Sequence, residues 1–281
     1  MKISFNIYLI PVAIVIYLMG QFELFSIAYF SAFLHEIAHV LIAKRFKLDV
    51  KEIEFLPIGF TARIEGAWKL SVKSELILFL SGPMTNLCLF VFSLLTYIAV
   101  SVPNNKLLAD FISVNIFLAC FNMIPAFPFD GGRIFMTLLS LRLGMLKCAR
   151  LCISISKSIN FILLVVGIIV FINTGNFIMI IIICYTLVLI FSDSGYILAD
   201  CFLYILNKNY SNKTKKVVPV KPLAVTETTC LIRLLREIDR SRFIYAIVFN
   251  NDNKIIGTVD ENEIIQYILK KGTNAIVGDM L

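Results

Sequence analysis

His35-Glu36-Ile37-Ala38-His39 lies inside an apolar run from Leu24 to Ala43 and holds both histidines of the chain. On a helix, residues i and i+4 share a face, so the two imidazoles can turn toward one ion. Glu36 is placed between them to take a proton from a water attacking beside that ion. Ionisable groups at hydrocarbon depth are costly and mark function. The stretch predicts a membrane helix that carries a metal-dependent hydrolytic site.

The composition agrees with a membrane setting. Of 281 residues, 59% are hydrophobic and 16% charged, against about 45–50% and about 25% in soluble domains. The net charge of +7 comes from dispersed basic residues. They fall where a cytoplasmic membrane face would put them, so a lipid bilayer is the expected partner and nucleic acid is not. Seven cysteines without a CxxC pair predict free thiols. Cys148 and Cys152 are helix neighbours and read as packing residues.

Six apolar segments are long enough to predict spans. They are Ile3–Gln21 (with no cleavable-signal pattern), Leu24–Ala43, Leu76–Val102, Phe111–Pro125, and two helices within Ser158–Ser192. The last two are divided by a turn at Asn173-Thr174-Gly175-Asn176. Between the second and third spans, Val50, Ile53, Phe55, Ile58, Phe60, Ala62 and Ile64 interleave with charges about Pro57-Ile58-Gly59. That alternation predicts a small cytoplasmic hairpin. Arg133–Lys157 reads as a surface or interfacial helix. Basic residues crowd the internal loops, from Lys44 to Lys73 and from Arg133 to Lys157, whereas the external loops hold Lys106 alone. Both termini are therefore expected in the cytoplasm of a multi-pass protein.

After Asp200 the chain becomes polar. Residues 207–216 read as a linker and 217–281 as a small α+β unit, leaving 1–206 as the membrane domain. The expected order is a strand near Val217–Val220, a helix at Cys230–Arg240, strands at Tyr245–Phe249 and Lys254–Val259, and a helix at Glu261–Lys271. Asn250-Asn251-Asp252-Asn253 forms the hairpin turn. So small a unit needs self-association or docking on the membrane domain to stabilise it. The fold class is an α-helical membrane protein, a six-transmembrane-helix bundle with a cytoplasmic hairpin and a C-terminal α+β unit.

A catalytic zinc takes three protein ligands and keeps one position open. With no third histidine, the remaining ligand must be a carboxylate or thiolate. Asp130 stands near the cytoplasmic end of the fourth segment, at the depth of the histidines. Gly131-Gly132 lets the backbone bend close to an ion, and Pro125 and Pro128 break the helix before it. Asp193 and Asp200 read as interfacial charges. Asn122 reads as a substrate or transition-state contact, and Gly82 through Asn86 as a close-packing stretch, with Asn86 a further candidate for the site. A zinc transporter would want more ligands along a path, and only Asp130 is visible.

Three motifs carry a resemblance over roughly residues 1–200. They are His35-Glu36-x-x-His39, Gly82-x-x-x-Asn86, and Asn122-x-x-Pro125-x-x-Pro128-Phe129-Asp130-Gly131-Gly132-Arg133. Together they resemble the site-2 protease family of intramembrane zinc metalloproteases. The resemblance implies one Zn2+ held by His35, His39 and Asp130, Glu36 as base, and Asn122, Pro128, Gly82 and Asn86 as substrate or site support. Residues 217–281 resemble a single CBS half-module, a combination most similar to the sporulation branch of the family. That branch implies a bacterial membrane, a membrane-tethered pro-sigma factor as substrate, inhibitory membrane protein partners, and ATP sensed by the CBS-like unit. A family member with a different membrane substrate is the alternative. Gly257-Thr258-Val259-Asp260-Glu261-Asn262-Glu263 departs from the CBS pattern, because acidic groups stand where phosphate and ribose would be held. A lone half-module also implies pairing between two chains, hence a homo-oligomer.

Overall fold

The computed structural model describes residues 2–57, 59–100, 105–174, 178–212, 219–272 and 275–281. Ile58 of the expected hairpin turn, part of the loop after residue 100, Gly175 and Asn176 of the expected helix break, Val217 and residues 213–216 of the expected linker lie outside them. The chain divides into two compact units, Met1–Phe135 with Ser156–Leu189, and Met136–Ile155 with Ile190–Leu281.

In the first unit, α2 (Phe22–Arg45) runs 24 residues without Gly or Pro and ends on Lys44 and Arg45, where cations favour the helix C-terminus. Its buried face is Ser31, His35, His39, Val40 and Ala43, the four-residue spacing of one helix side. The hairpin is β2 (Asp49–Leu56) and β3 (Gly59–Glu65), antiparallel with Ile53 opposite Ala62. The helix α3 (Val72–Val100) follows. Ala43, Leu78 and Phe79 form a core with Val50 and Ile64, which joins α2, the hairpin and α3. The helix α4 (Lys106–Asn122) opens on Asn105, whose side chain accepts the Leu108 N–H at 3.1 Å. Asn115 of α4 donates to Ser31 of α2 at 3.1 Å, both fully buried.

The first expected span is corrected. Lys2–Phe5 is a strand, β1, parallel to β2, and only Leu9–Leu18 is helical, as α1. Lys2-Ile3-Ser4-Phe5 alternates polar and apolar, which suits a strand, and β2 offers its free edge. Ten helical residues reach about 15 Å, half of the roughly 30 Å hydrocarbon thickness.

The single helix expected at Arg133–Lys157 is corrected as well. The helix α5 (Asp130–Leu139) ends, and α6 (Met145–Thr174) begins after a corner at Ser140–Gly144. At that corner the Met145 N–H donates to the Ile238 carbonyl at 2.7 Å, and the Arg240 N–H to the Ser140 carbonyl at 3.2 Å. A Cβ on Gly144 would stand 1.8 Å from the Arg236 carbonyl oxygen, so only glycine fits.

Among the described residues, three helices are long and apolar enough to cross a membrane: Phe22–Arg45, Val72–Ala99 and Met145–Asn173. The bent pair Ile183–Phe191 and Ser194–Leu206, at 45°, would make a fourth. This falls short of the six expected, because α1 is short and α4, with 17 residues, sits at the lower end of spanning length.

The second unit contains β4 (Val220–Thr226), α8 (Leu231–Glu237), β5 (Phe243–Phe249), β6 (Ile255–Asp260) and α9 (Glu261–Lys271). The sheet order is β4-β5-β6, with β4 parallel and β6 antiparallel to β5. Leu231, Leu234 and Leu235 of α8 are fully buried, as are Ile244, Ala246 and Val248 of β5 and Ile264 of α9. The expected linker is helical at its start, because α7 (Ile178–Asn212) runs into it as far as Asn212. Lys208 there is buried, and its ammonium stands 2.9 Å from Glu261 Oε1 and 2.7 Å from the Arg242 carbonyl. All seven cysteines are free thiols.

Candidate metal centre

His35 and His39 stand one turn apart on the buried face of α2, 7% and 5% exposed. Asp130 opens α5. His35 Nε2 lies 3.0 Å from Asp130 Oδ2, His39 Nε2 lies 3.1 Å from the same oxygen, and the two nitrogens are 3.2 Å apart. Among the described residues this is the one group of three possible metal-ligating side chains within mutual reach of a single ion.

The donor set fits zinc. Ligand atoms about 2.0–2.1 Å from zinc along tetrahedral directions stand about 3.3 Å from each other, close to the edges of this triangle. Hydrogen bonding alone accounts for it poorly. His39 Nδ1 lies 2.8 Å from the Leu78 carbonyl, which can only accept, so Nδ1 carries the proton. The Nε2 of a neutral His39 is then a lone pair facing another imidazole nitrogen and a carboxylate oxygen. Metal-ligating histidines are oriented in this way by a carbonyl behind them. Ser81 adds a second neighbour, its hydroxyl 3.1 Å from His39 Nδ1 and 2.7 Å from the Leu78 carbonyl.

Gly82 closes the site from α3. A Cβ there would meet Nε2 of both histidines at 2.4 Å. One turn further, Asn86 is completely buried, and neither its Oδ1 nor its Nδ2 has a hydrogen-bond partner. Glu36 is half-buried and accepts the backbone N–H of Ala62 on β3 at 2.5 Å.

The turn before α5 explains the two glycines after Asp130. A Cβ on Gly131 would meet the Met123 and Ile124 carbonyl oxygens at 2.4 Å, and one on Gly132 the carbonyl carbon of Ala126 at 2.4 Å. Asn122 ends α4 with its amide donating back to the Leu118 carbonyl at 3.1 Å. Pro128 is half-buried and follows a cis peptide bond to Phe127. The structure thus brings His35, His39, Asp130 and Gly82 to one point and sets Glu36 against the hairpin. The Ala62 N–H and the Leu78 carbonyl are additions that no side-chain pattern marks. The Ser81 hydroxyl was legible only as a small polar residue beside Gly82.

Residues 24–105 match the model of peptidase family M50. A zinc metalloprotease of Methanocaldococcus jannaschii is 33% identical over 146 residues, 51% of this chain and 42% of the relative. The chain therefore spans under half of that protein's length. Stage IV sporulation protein FB of Bacillus subtilis is 24% identical over 252 residues, 88% of this chain and 85% of the relative. The structure of a site-2 protease from M. jannaschii superposes with a TM-score of 0.53 at 27% identity, covering 79% of this chain and 94% of that one. Family model, fold and the grouped His-Glu-x-x-His and Asp130 motifs agree: residues 24–105 carry the peptidase family M50 pattern, and the chain is similar to a site-2 protease along 79% of its length.

Proposed function

We propose that this chain is an intramembrane zinc metalloprotease that cleaves a membrane-tethered protein near the cytoplasmic face. The observation that carries the reading is the triangle of His35 Nε2, His39 Nε2 and Asp130 Oδ2, with edges of 3.0–3.2 Å, its two histidines on an apolar helix of membrane-spanning length. His35, His39 and Asp130 are the zinc ligands. Zinc, when bound, supplies a Lewis acid that polarises the scissile carbonyl and makes water more acidic. Glu36 takes the proton from the attacking water and passes it to the leaving amine. Gly82 leaves room for the imidazoles, and the unpartnered amide of Asn86 is suited to hydrogen-bond an extended substrate or an ordered water. Asn122 and Pro128 support the site from the turn before Asp130.

A scissile bond inside a helix is shielded by its own hydrogen bonds, so the substrate must be extended. β3 is the outer strand of its sheet, and the Ala62 N–H points away from β2 toward Glu36. A substrate strand added along this edge would pass beside the base. Position near the cytoplasm is supported by Lys44 and Arg45, one turn after His39. The basic residues of the 44–73 and 133–157 stretches support a multi-pass protein with those stretches on the cytoplasmic side, and the sporulation relative supports a bacterial membrane.

The match along 88% of the chain to a sporulation protein favours a pro-sigma factor as substrate, with inhibitory membrane proteins as regulators. Residues 217–281 act as a CBS-like regulatory half-module that pairs with a second copy. The strand-helix-strand-strand-helix order of the unit supports this. ATP fits poorly there. Asp260 accepts the Asn262 and Glu263 N–H groups and Glu263 accepts the Asp260 N–H, so the N-terminus of α9 is already capped by carboxylates.

The test is zinc analysis of the purified protein together with cleavage of a co-expressed membrane-tethered pro-sigma factor. Wild type and Glu36→Gln should each hold one zinc, and only wild type should shorten the substrate. Cleavage by a preparation that contains no metal would end the reading.

A further inference from the structure

Phe127 stands three residues before Asp130, and two side chains one turn apart on α6 hold both of its backbone polar groups. Its N–H donates to Ser156 Oγ at 2.7 Å, and its carbonyl accepts Asn160 Nδ2 at 3.2 Å. Asn160 Nδ2 also donates to the Ser156 carbonyl at 2.9 Å. Both carbonyls only accept, which fixes the orientation of the amide. Asn160 Oδ1 then faces Thr186 of α7, whose hydroxyl lies 2.7 Å away. Ser156 and Asn160 are fully buried, and Thr186 is 7% exposed.

Asp130 depends on this backbone. Gly131 and Gly132 press against Met123 through Phe127, and a Cβ on Gly132 would stand 2.6 Å from the Phe127 nitrogen. The Phe129 N–H donates to the Ala126 carbonyl at 3.0 Å, and the Gly132 N–H to the Phe129 carbonyl at 3.0 Å. The first turn of α5 has no freedom to shift unless residues 123–127 shift with it. Polar side chains within membrane helices are retained where they hydrogen-bond across the bundle, and here the bonds of Ser156 and Asn160 meet on the backbone of one residue, Phe127.

We propose that Ser156, Asn160 and Thr186 form a polar latch that sets the Asp130 carboxylate at the distance from His35 and His39 that a metal ion requires. They are positioning residues that act through Phe127. The proposal rests on the reading of His35, His39 and Asp130 as metal ligands.

The test uses the full-length chain in detergent, with zinc affinity read by chelator competition and ligand geometry by the visible absorption of the Co2+-substituted protein. Asn160→Leu should weaken zinc binding about 10–100-fold, as loss of outer supporting groups does, and change the cobalt spectrum. Thr186→Val should do the same to a smaller degree, and Thr186→Ser, which keeps the hydroxyl, should restore both readings. Ser93→Ala removes a buried hydroxyl of α3 that bonds only carbonyls of its own helix, and should change neither. If Asn160→Leu does not fold, the Thr186→Val and Thr186→Ser pair carries the test. Wild-type affinity and spectrum in Asn160→Leu and Thr186→Val, or an equal loss in Ser93→Ala, would overturn the latch. A wild type that binds zinc no better than His39→Ala would remove the metal reading itself, a different result from a metal-binding wild type with indifferent latch variants.

Discussion

Gly82 and His39 leave no space between them: a Cβ on Gly82 would stand 2.4 Å from His39 Nε2, and equally close to His35 Nε2. The helix α3 therefore meets the two imidazole nitrogens through a bare α-carbon. Gly82→Ala separates stability from metal binding. Alanine favours the helix interior over glycine by about 1 kcal/mol, so helical content should hold, while the imidazoles must rotate away from Asp130. Zinc affinity by chelator competition should fall about 100-fold, the cost of losing roughly 3 kcal/mol of ligand alignment. Retention of wild-type affinity would show that the imidazoles do not work from the position seen.

Ala62 touches Glu36 through its backbone alone, so side-chain substitutions there should be mild and a proline should not. In Ala62→Pro the N–H that Glu36 accepts is gone. Because that N–H faces outward from the edge strand, the β2–β3 ladder keeps its bonds. Cleavage should drop at least about 10-fold, the effect of roughly 1.4 kcal/mol, with zinc content unchanged, and Ala62→Val should remain near wild type. Full activity in Ala62→Pro would dismiss both the hold on Glu36 and substrate pairing along β3.

The grouping of His35, His39 and Asp130 was legible because it is written in side chains at fixed spacing. His35 and His39 are four apart on an apolar helix, and Asp130 is the one acidic residue followed by two glycines at a helix start. The hairpin was legible from alternation about Pro57. Less could be read where tertiary contact overrides local pattern. Ile3–Gln21 is apolar enough to span, yet Lys2–Phe5 pairs with β2 and leaves ten residues for α1. The corner at Gly144 depends on carbonyls nearly a hundred residues away in sequence, at Arg236 and Ile238. Lys208 looked like part of a polar linker, because nothing in its own neighbourhood announces Glu261 as its partner.

That pair gives the next expectation. Lys208 and Glu261 are 2% and 0% exposed, and Glu261 also accepts the Ile244 N–H at 2.9 Å. Burial pushes the Glu261 carboxyl above its ordinary value, with Lys208 and that N–H opposing the rise. Lys208→Met leaves a buried carboxylate unpaired and should cost about 3–5 kcal/mol. The double variant Lys208→Met/Glu261→Leu should regain most of the loss, since an apolar pair of similar volume needs no counter-ion. Thermal or denaturant unfolding of the second unit measures both. Equal stability in the two variants would mean that the ion pair is not what penalises the single substitution.

Glu237 makes the same unit sensitive to acid. Its carboxylate is bonded to the Lys147 ammonium at one oxygen and lies 3.0 Å from Lys221 Nζ at the other. Partial burial alone would raise this carboxyl, but the two lysines outweigh it and hold it below the ordinary glutamate range. A depressed carboxyl binds its proton less readily folded than unfolded, so its contribution is complete above the unfolded value and disappears as pH falls through the folded one. Glu237 is 30% exposed and Lys147 49%, so each pair contributes about 0–1 kcal/mol. Unfolding of the second unit should thus become easier from about pH 5 downward. In Glu237→Gln the unit should start about 1 kcal/mol less stable at neutral pH and show a flatter acid limb. Parallel pH profiles for wild type and Glu237→Gln would assign the acid sensitivity to another carboxylate.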